Sequence, residues 1–286
     1  MISSTLTMTR TAREQGYAVP AVNILDDLSL RAVVAAAVAA SAPIIVQISV
    51  KTVRSIGTDL VTTMFRSAAA DVPVPVALHL DHCPDRAVIT DVVRAGWSSV
   101  LFDASDRDLP TAEHETAEVV AQAHAAGVDV ESEIENIIGV EDGVGSDVSL
   151  HSYDVQTLAD VAERTGADLL APQLGTAHGE YKAQPVLLPE RVRELAALTD
   201  RPIVLHGGTG LSAQDFAEFT GAGVSKINIS TAVKVAYMRS AEAHLAQARA
   251  RDRWDPPSMF RDISQAVQDA ITVHIEEFGA AGKATS

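Results

Sequence analysis

Three histidines stand at the ends of separate apolar segments, where a metal ion could be held. They are His82, His178 and His206, and they lie so far apart in the chain that no local motif joins them. Neutral imidazole is a good zinc ligand, and a three-histidine set leaves one coordination position open for a substrate oxygen. The alternative for each histidine is a simple hydrogen-bonding role. The pattern predicts a metal site if the fold brings the three segment ends together.

Acidic residues accompany these histidines. Asp81 directly precedes His82, and Asp103 and Glu133 end two further apolar segments. An acid beside a metal can be a ligand, can orient a ligand, or can transfer a proton. The alternative for each acid is a solvated carboxylate in a loop without a role in the chemistry. This alternative is least favoured for Asp81, because the preceding segment is strongly apolar. We expect Asp81 to act in the chemistry, and Asp103 and Glu133 to orient the histidines or to form a second metal position.

Two later segments have the composition of a phosphate site. Gly207-Gly208-Thr209 and Asn228-Ile229-Ser230-Thr231 follow the last two apolar segments, and Gly179 follows His178. Glycine lets a backbone approach a ligand closely, and the threonines offer hydroxyl groups. The loops after the seventh and eighth strands of an α/β barrel often hold phosphate. A tight turn is the alternative for the glycine pair.

The elements that must position these residues alternate between strands and helices. Eight apolar segments are typical of strands buried on both faces, because most lack polar–apolar alternation. The amphipathic segments between them begin at residues that favour helix caps, such as Asp26 or Asp27, Asp85, Asp154 and Ser212. This order predicts an α/β fold, a (β/α)8 TIM barrel whose strand ends share one rim. The predicted strands are Tyr17–Ile24, Pro43–Ser49, Val74–Asp81, Ser98–Asp103, Asp129–Ile134, Ala167–Leu174, Pro202–His206 and Val224–Ile229.

The predicted barrel takes up the whole chain. Such a barrel typically needs about 250 residues, so we expect the 286 residues to form one domain with an extra C-terminal helix near Met259–Glu277. An open doubly wound sheet is the alternative, but Leu25-Asp26-Asp27 lacks the glycine that such a sheet often has after its first strand. The long connection from Glu135 to Ser152 shows no strong periodicity. We expect it to overhang the catalytic face, because long connections are often functional.

Charge and composition limit the partners. The chain has 22 basic and 38 acidic residues, a net charge of −16. Nucleic acid or an anionic membrane would need a basic patch, so neither is expected, whereas backbone N–H groups can still hold a small phosphate. The single cysteine, Cys83, suits a reducing cytoplasm. No segment is typical of a signal peptide or a membrane span.

Four motifs together resemble the class II, metal-dependent ketose-bisphosphate aldolases, the family of fructose-bisphosphate and tagatose-bisphosphate aldolases. The resemblance implies a zinc-dependent lyase that reversibly cleaves a ketose (bis)phosphate to dihydroxyacetone phosphate and an aldehyde. Fructose- or tagatose-1,6-bisphosphate would then give glyceraldehyde 3-phosphate. It also implies a cytoplasmic enzyme of carbohydrate metabolism, in glycolysis or sugar catabolism, that assembles as a homodimer or homotetramer. The motifs are Leu78-His79-Leu80-Asp81-His82, the segment 175–182, the segment 205–211 and Lys226-Ile227-Asn228.

The resemblance also implies a role for each matching residue. The three histidines match the zinc ligands, Asp81 matches the residue that exchanges a proton with the C4 oxygen, and Glu141 matches the base at C3. Asp103 and Glu133 match acids near an alternative metal position, and a monovalent cation, Na⁺ or K⁺, is expected near the phosphate loops. The substrate- and phosphate-binding set is Asn23, Ser49, Gly179, Lys182, Gly207, Gly208, Thr209, Asn228, Ser230 and Thr231.

The chain departs from the family pattern at three places that bear on the substrate. Val50-Lys51 follow Ser49 where the family often has a glycine nearby. The segment 134–140 replaces a stretch richer in glycine, so we expect the loop that carries Glu141 to be stiffer or differently shaped. Ser230 stands where fructose-bisphosphate enzymes often have Asp and tagatose-bisphosphate enzymes often have Ala. The aldehyde half therefore stays open, and another ketose 1-phosphate is the first alternative substrate.

Two other functions and one other mechanism compete with this interpretation. A metal-dependent hydrolase on the same barrel typically has His-x-His on its first strand, where this chain has Pro20-Ala21-Val22-Asn23. A non-catalytic sugar-phosphate-binding barrel would not need the full histidine and acid set. Lys226 or Lys182 could form an imine with a ketose, but the aligned histidines make that route unnecessary.

Overall fold

In the computed structural model, eight parallel strands close into a barrel surrounded by helices. The structure describes residues 1–146, 148, 150–179 and 185–284, without the side chains of Val140, Glu141 and Gly145. The strands are β1 (Val19–Asn23), β2 (Ile44–Ser49), β3 (Val76–Cys83), β4 (Ser99–Asp103), β5 (Asp129–Glu133), β6 (Gly139–Glu141), β7 (Val144–Ser146), β8 (Leu169–Leu170), β9 (Ile203–Leu205) and β10 (Val224–Ile229).

Closure of the barrel confirms the predicted TIM fold. The strand order is β1-β10-β9-β8-β5-β4-β3-β2, and β1 pairs in parallel with both β2 and β10. All eight predicted barrel strands occur. The sixth is much shorter than predicted and ends at Leu170, because Pro172 has no N–H to continue the ladder. The apolar runs are long because barrel strands are covered on both faces.

Four of the helices begin at the caps that the sequence predicts. The side chains of Asp26, Asp85, Asp154 and Ser212 each accept a backbone N–H of the following turn. The helices are α1 (Thr5–Gln15), α2 (Asp27–Ala39), α3 (Val50–Ile56), α4 (Thr58–Ala69), α5 (Arg86–Ala95), α6 (Leu109–His124), α7 (Val155–Thr165), α8 (Pro189–Leu198), α9 (Ala213–Ala222), α10 (Thr231–Arg251) and α11 (Pro256–Glu277). The last of these is the predicted extra helix. Among the described residues, none of the helices has the length and apolar character that a bilayer crossing requires.

The N-terminal segment closes one end of the barrel. Ser3 N donates to Val76 O over 2.9 Å at the start of β3, and the hydroxyls of Thr5 and Ser99 lie 2.6 Å apart at the start of β4. These contacts occupy the face where the strands begin. The open face is therefore the one where the strands end, as in barrel enzymes generally.

A β-hairpin interrupts the long connection between β5 and α7. Strands β6 and β7 pair antiparallel, and the two residues between them, Asp142 and Gly143, have φ values of 51° and 89°. Two consecutive positive φ angles are typical of a type I′ turn, for which Asp-Gly is a favoured sequence. The lack of strong periodicity from Glu135 to Ser152 therefore did not reveal this hairpin. The Asp-Gly pair was the signal that indicated the hairpin.

Candidate active site

The fold brings the three predicted histidines together at the open face. His82 lies on β3, His178 follows β8 and His206 directly follows β9. Their ligating atoms lie within 4.8 Å of one another. Nδ1 of His206 is 2.9 Å from Nε2 of the buried His82, and two basic nitrogens this close need a proton or a metal ion between them. The donor set fits zinc, which accepts three imidazoles and keeps a fourth position open.

His82 has a strained backbone. Its φ angle is +36°, in the left-handed region that residues with a side chain rarely adopt, and the pairing of β3 with β4 shifts register between Leu80 and Cys83. Such a conformation typically costs about 1–3 kcal/mol and persists where the surroundings impose it. The irregularity breaks the alternation of a regular strand. It accounts for Asp81 and His82, which are neighbours in sequence, both facing the same site.

A buried acid pair flanks His82. Its Nδ1 lies 3.2 Å from Oδ2 of Asp103 and 3.4 Å from Oε2 of Glu133, and these three residues form a second group with metal-ligand spacing. Burial alone would lower the pKa of His82, but Glu133, Asp81 and Asp103 outweigh it and hold this pKa well above its usual value. Burial and the nearby Asp103 raise the pKa of Glu133. The cluster thus attracts positive charge to the position of His82.

A buried ion pair supports His206 from the inside of the barrel. Nε2 of His206 lies 2.8 Å from Oε1 of Glu131, and Oε2 of Glu131 accepts from Nζ of Lys226 at 2.7 Å. Burial lowers the pKa of His206 to about 3, so this imidazole is neutral at pH 7. Burial would raise the pKa of Glu131, but Lys226 outweighs it and holds that pKa far below its usual value. Lys226 is fully buried and paired, which makes it unsuitable as an imine-forming amine.

Asp81 is held by side-chain amides. Nδ2 of Asn23 donates to one carboxylate oxygen over 2.7 Å, and Nδ2 of Asn228 donates to the other over 3.4 Å. Gln47 donates to Oδ1 of Asn23 over 2.8 Å. Because Asp81 is almost fully buried, these donors fix the direction of its carboxylate. Gln47 was not among the predicted site residues, although it is the one amide side chain in the mostly apolar β2.

The predicted phosphate segments form one side of the same mouth. Gly207 has φ +66°, and a Cβ there would lie 2.4 Å from the carbonyl oxygen of Ala177, so this turn requires glycine. Ser230 stands at the N-cap of α10 without making a side-chain cap. Oδ1 of Asn228 and Oγ of Ser230 are buried without hydrogen-bond partners within the described part of the chain. Buried polar atoms are rarely left unpaired, so the mouth is suited to a polar ligand.

The other predicted substrate residues lie on this rim where the structure describes them. Asn23 and Ser49 end β1 and β2, and Ser49 caps α3 by accepting from Thr52 N. Gly179, Gly208, Thr209 and Thr231 follow β8, β9 and β10. Lys182 lies outside the described residues, and Glu141 is described only by its backbone in β6.

A family model named fructose-bisphosphate aldolase class-II matches residues 3–283. The chain belongs to the class II fructose-bisphosphate aldolase family. The predicted resemblance is thereby confirmed, and the protein is a metal-dependent aldolase, a lyase. Family membership favours this activity over the hydrolase and over the non-catalytic barrel.

Known aldolases resemble the chain over its whole length. The fructose-bisphosphate aldolase of Staphylococcus epidermidis is 33% identical over 276 residues, which are 96% of each chain. The crystal structure of the YdjI aldolase from Escherichia coli K12 matches with a TM-score of 0.87 and 28% identity over 100% of both chains. The fructose-bisphosphate aldolase of Campylobacter jejuni matches with a TM-score of 0.85 at 22% identity, over 99% of this chain and 96% of that one, which supports the fold.

Residues that depart from the aldolase pattern brace the long connection. Glu135 accepts from the backbone N–H groups of Tyr153 and Gln173 and from Nη2 of Arg191, over 2.7–3.0 Å. The side chain of Asn136 donates to Val148 O and accepts from Leu150 N. Both side chains are buried. Their polarity therefore serves the shape of the loop that leads to and from the hairpin.

Proposed function

We propose that this aldolase uses zinc to cleave a ketose 1,6-bisphosphate reversibly into dihydroxyacetone phosphate and an aldehyde. Fructose- and tagatose-1,6-bisphosphate, which would give glyceraldehyde 3-phosphate, are the first candidates. The observation that carries the proposal is the convergence of three histidines beside a carboxylate that two amides hold in place. His82, His178 and His206 would hold the metal, and Asp103 and Glu133 with His82 offer an alternative position.

Bound zinc would stabilise the negative charge that develops beside the ketose carbonyl. Asp81 is the proposed proton acceptor for the C4 hydroxyl as the C3–C4 bond breaks, and it returns the proton in the condensation direction. Asn23 and Asn228 support this role because they hold both carboxylate oxygens and so fix the acceptor before substrate binds. Glu141 is the proposed base that moves the proton at C3, because its position on the loop after β5 matches that of the family base.

The phosphate of the dihydroxyacetone half is proposed to bind between Gly207 and the start of α10. The first N–H groups of a helix attract anions, and this helix begins without a side-chain cap. Gly179, Gly208, Thr209 and Thr231 lie around the same mouth, and Lys182 belongs to the proposed set through its sequence motif. A monovalent cation, Na⁺ or K⁺, is proposed near these loops. Activity measured with tetramethylammonium, Na⁺ and K⁺ salts tests that requirement.

We also propose that the 286 residues act as one barrel domain, in a cytoplasmic homodimer or homotetramer. Light scattering coupled to size-exclusion chromatography tests the assembly, and fractionation of expressing cells tests the location. A monomer that is fully active at assay concentration would contradict the assembly.

The experiment that tests the activity is a cleavage assay on a set of ketose phosphates. The set contains fructose- and tagatose-1,6-bisphosphate and several ketose 1-phosphates, each assayed with zinc and after EDTA treatment. We expect zinc-dependent release of dihydroxyacetone phosphate from at least one of them. Cleavage confined to a ketose 1-phosphate would support the alternative aldehyde half. Activity only on sugars that lack the 1-phosphate, or activity that EDTA leaves unchanged, would contradict the proposal.

A further inference from the structure

The β6–β7 hairpin is attached to the metal site at its base. His178 N donates to Ile138 O over 2.8 Å, and Ile138 forms a bridge with Ala177. Gly139 starts β6 with φ +108°, and a Cβ there would lie 3.0 Å from the His178 carbonyl oxygen. The strand that carries Glu141 therefore begins in direct backbone contact with a proposed zinc ligand.

The tip of the hairpin is attached on the far side of the mouth. Oδ1 of Asp142, in the turn, accepts from Nζ of Lys234 at 3.0 Å. Lys234 lies in the first turn of α10, where its backbone N–H donates to Ser230 O. The side chains are 16% and 31% exposed, so water and salt can reach the pair. This contact joins the hairpin to the helix whose start is the proposed phosphate site.

The barrel order defines what lies between these two attachments. The hairpin leaves the barrel after β5, and its tip is fixed just beyond β10, while β8 and β9 stand between these strands. His178 and His206 follow those two strands. A segment attached at both places spans the sector of the rim that holds two of the three histidines.

We propose that Asp142 and Lys234 are positioning residues that latch the hairpin over the mouth and so hold Glu141 at the reacting sugar. The part of this inference that concerns Glu141 rests on the proposed function. Asp142 lies next to Glu141, so any movement of the turn displaces the neighbouring base. Lys234 stands one turn from Ser230, so the latch joins the hairpin to the helix whose start is the proposed phosphate site.

The test uses two variants that each remove one charge of the latch. Asp142→Asn keeps a residue that tolerates the left-handed conformation of the turn, and Lys234→Gln keeps a helix-forming side chain. Glu113→Gln is the matched control, because it breaks the exposed Arg164–Glu113 pair of 2.6 Å and 2.8 Å on the outer wall. The first measurement is hydrogen exchange of the hairpin amides by mass spectrometry. The second is exchange of the C3 proton of dihydroxyacetone phosphate in D₂O, and the third is zinc content.

We expect both latch variants to speed amide exchange of the hairpin by up to about five-fold, which corresponds to the upper range for an exposed ion pair. Exchange of the C3 proton should slow by up to a similar factor, with zinc content unchanged. In the double variant, amide exchange of the hairpin and exchange of the C3 proton should change no more than in either single variant. Added salt should speed amide exchange of the hairpin in the unmodified protein but not in the latch variants. The Glu113→Gln control should match the unmodified protein throughout.

Hairpin amides that exchange alike in all variants, or additive effects in the double variant, would overturn the latch. A different outcome is that both latch variants speed amide exchange of the hairpin while even the unmodified protein does not exchange the C3 proton. That result would reject the proposed function and leave the latch in place. If amide exchange of the hairpin is faster in the latch variants but exchange of the C3 proton is unchanged, the latch does not position Glu141, and that part of the proposal is overturned.

Discussion

The buried pair of Glu131 and Lys226 offers the sharpest test of how the barrel supports its metal. Both side chains are fully buried, their charged atoms are 2.7 Å apart, and Glu131 also contacts His206. We consider three variants: Lys226→Met, Glu131→Gln, and the double change. Each single change leaves one charged group buried without its partner, whereas the double change leaves two neutral side chains of similar size.

The expected magnitudes follow from that difference. A buried charge that loses its partner typically costs about 3–5 kcal/mol of folding free energy, whereas neutral replacement of the whole pair is often close to harmless. We therefore expect each single variant to lose about 3–5 kcal/mol and the double variant to stay within about 2 kcal/mol of the unmodified protein. The coupling energy of the cycle should be at least about 4 kcal/mol in favour of the pair, because the two single losses together exceed the loss in the double variant by that amount.

The assays separate folding from metal binding. Urea unfolding of the EDTA-treated proteins gives the stability cycle, and competition with a zinc chelator gives the zinc Kd. In the double variant the new amide oxygen at position 131 can still accept from His206, but the negative charge behind the ligand is gone. Loss of such a partner typically weakens metal binding about 10–100-fold. Additive single effects, or a double variant that keeps both stability and zinc affinity, would refute the role assigned to the pair.

Four further outcomes follow from the site. EDTA treatment should abolish cleavage and added zinc should restore it; activity that survives dialysis against chelator would contradict the metal centre. Asp81→Asn should keep its zinc and lose about 10²–10⁴-fold in kcat; unchanged turnover would exclude proton transfer by Asp81. Gly207→Ala should lose about 2 kcal/mol or more of stability in thermal unfolding, because its Cβ would lie 2.4 Å from Ala177 O at φ +66°; an unchanged Tm would contradict the close approach. The folded-state pKa of Glu131 lies far below its usual value, so its contribution to stability is complete above about pH 4.3 and declines as pH falls below that; we expect Glu131→Gln to flatten the acid limb of the stability profile.

The sequence predicted the barrel well because parallel barrel strands leave a simple pattern. Strands covered on both faces are continuous apolar runs, and each of the eight runs contains an observed strand. The lengths of the strands were less predictable. The apolar run 167–174 contains only the two-residue strand Leu169–Leu170, because a proline and the start of a loop follow it. The hairpin was missed because its strands are three residues each and carry no useful periodicity, although the Asp142-Gly143 turn indicated it.

The histidines could be placed from sequence because each lies at or after the carboxyl end of a barrel strand, and all these ends share one rim. The residues that support the histidines and Asp81 could not be predicted from the sequence. The pairing of Lys226 with Glu131, and of Gln47 with Asn23, depends on how side chains from different strands meet inside the barrel. The strained φ of His82 also depends on a local register shift between β3 and β4 that leaves no sequence signal.

The backbone contact between Ile138 and His178 has a consequence for the exchange of the metal with solution. Movement of the hairpin base would break the hydrogen bond from His178 N to Ile138 O, so we expect opening of the loop to accelerate the release of bound zinc. A chelator should then remove zinc more slowly from protein saturated with dihydroxyacetone phosphate than from the free enzyme. The half-life of the bound metal would then report the rate at which the loop opens.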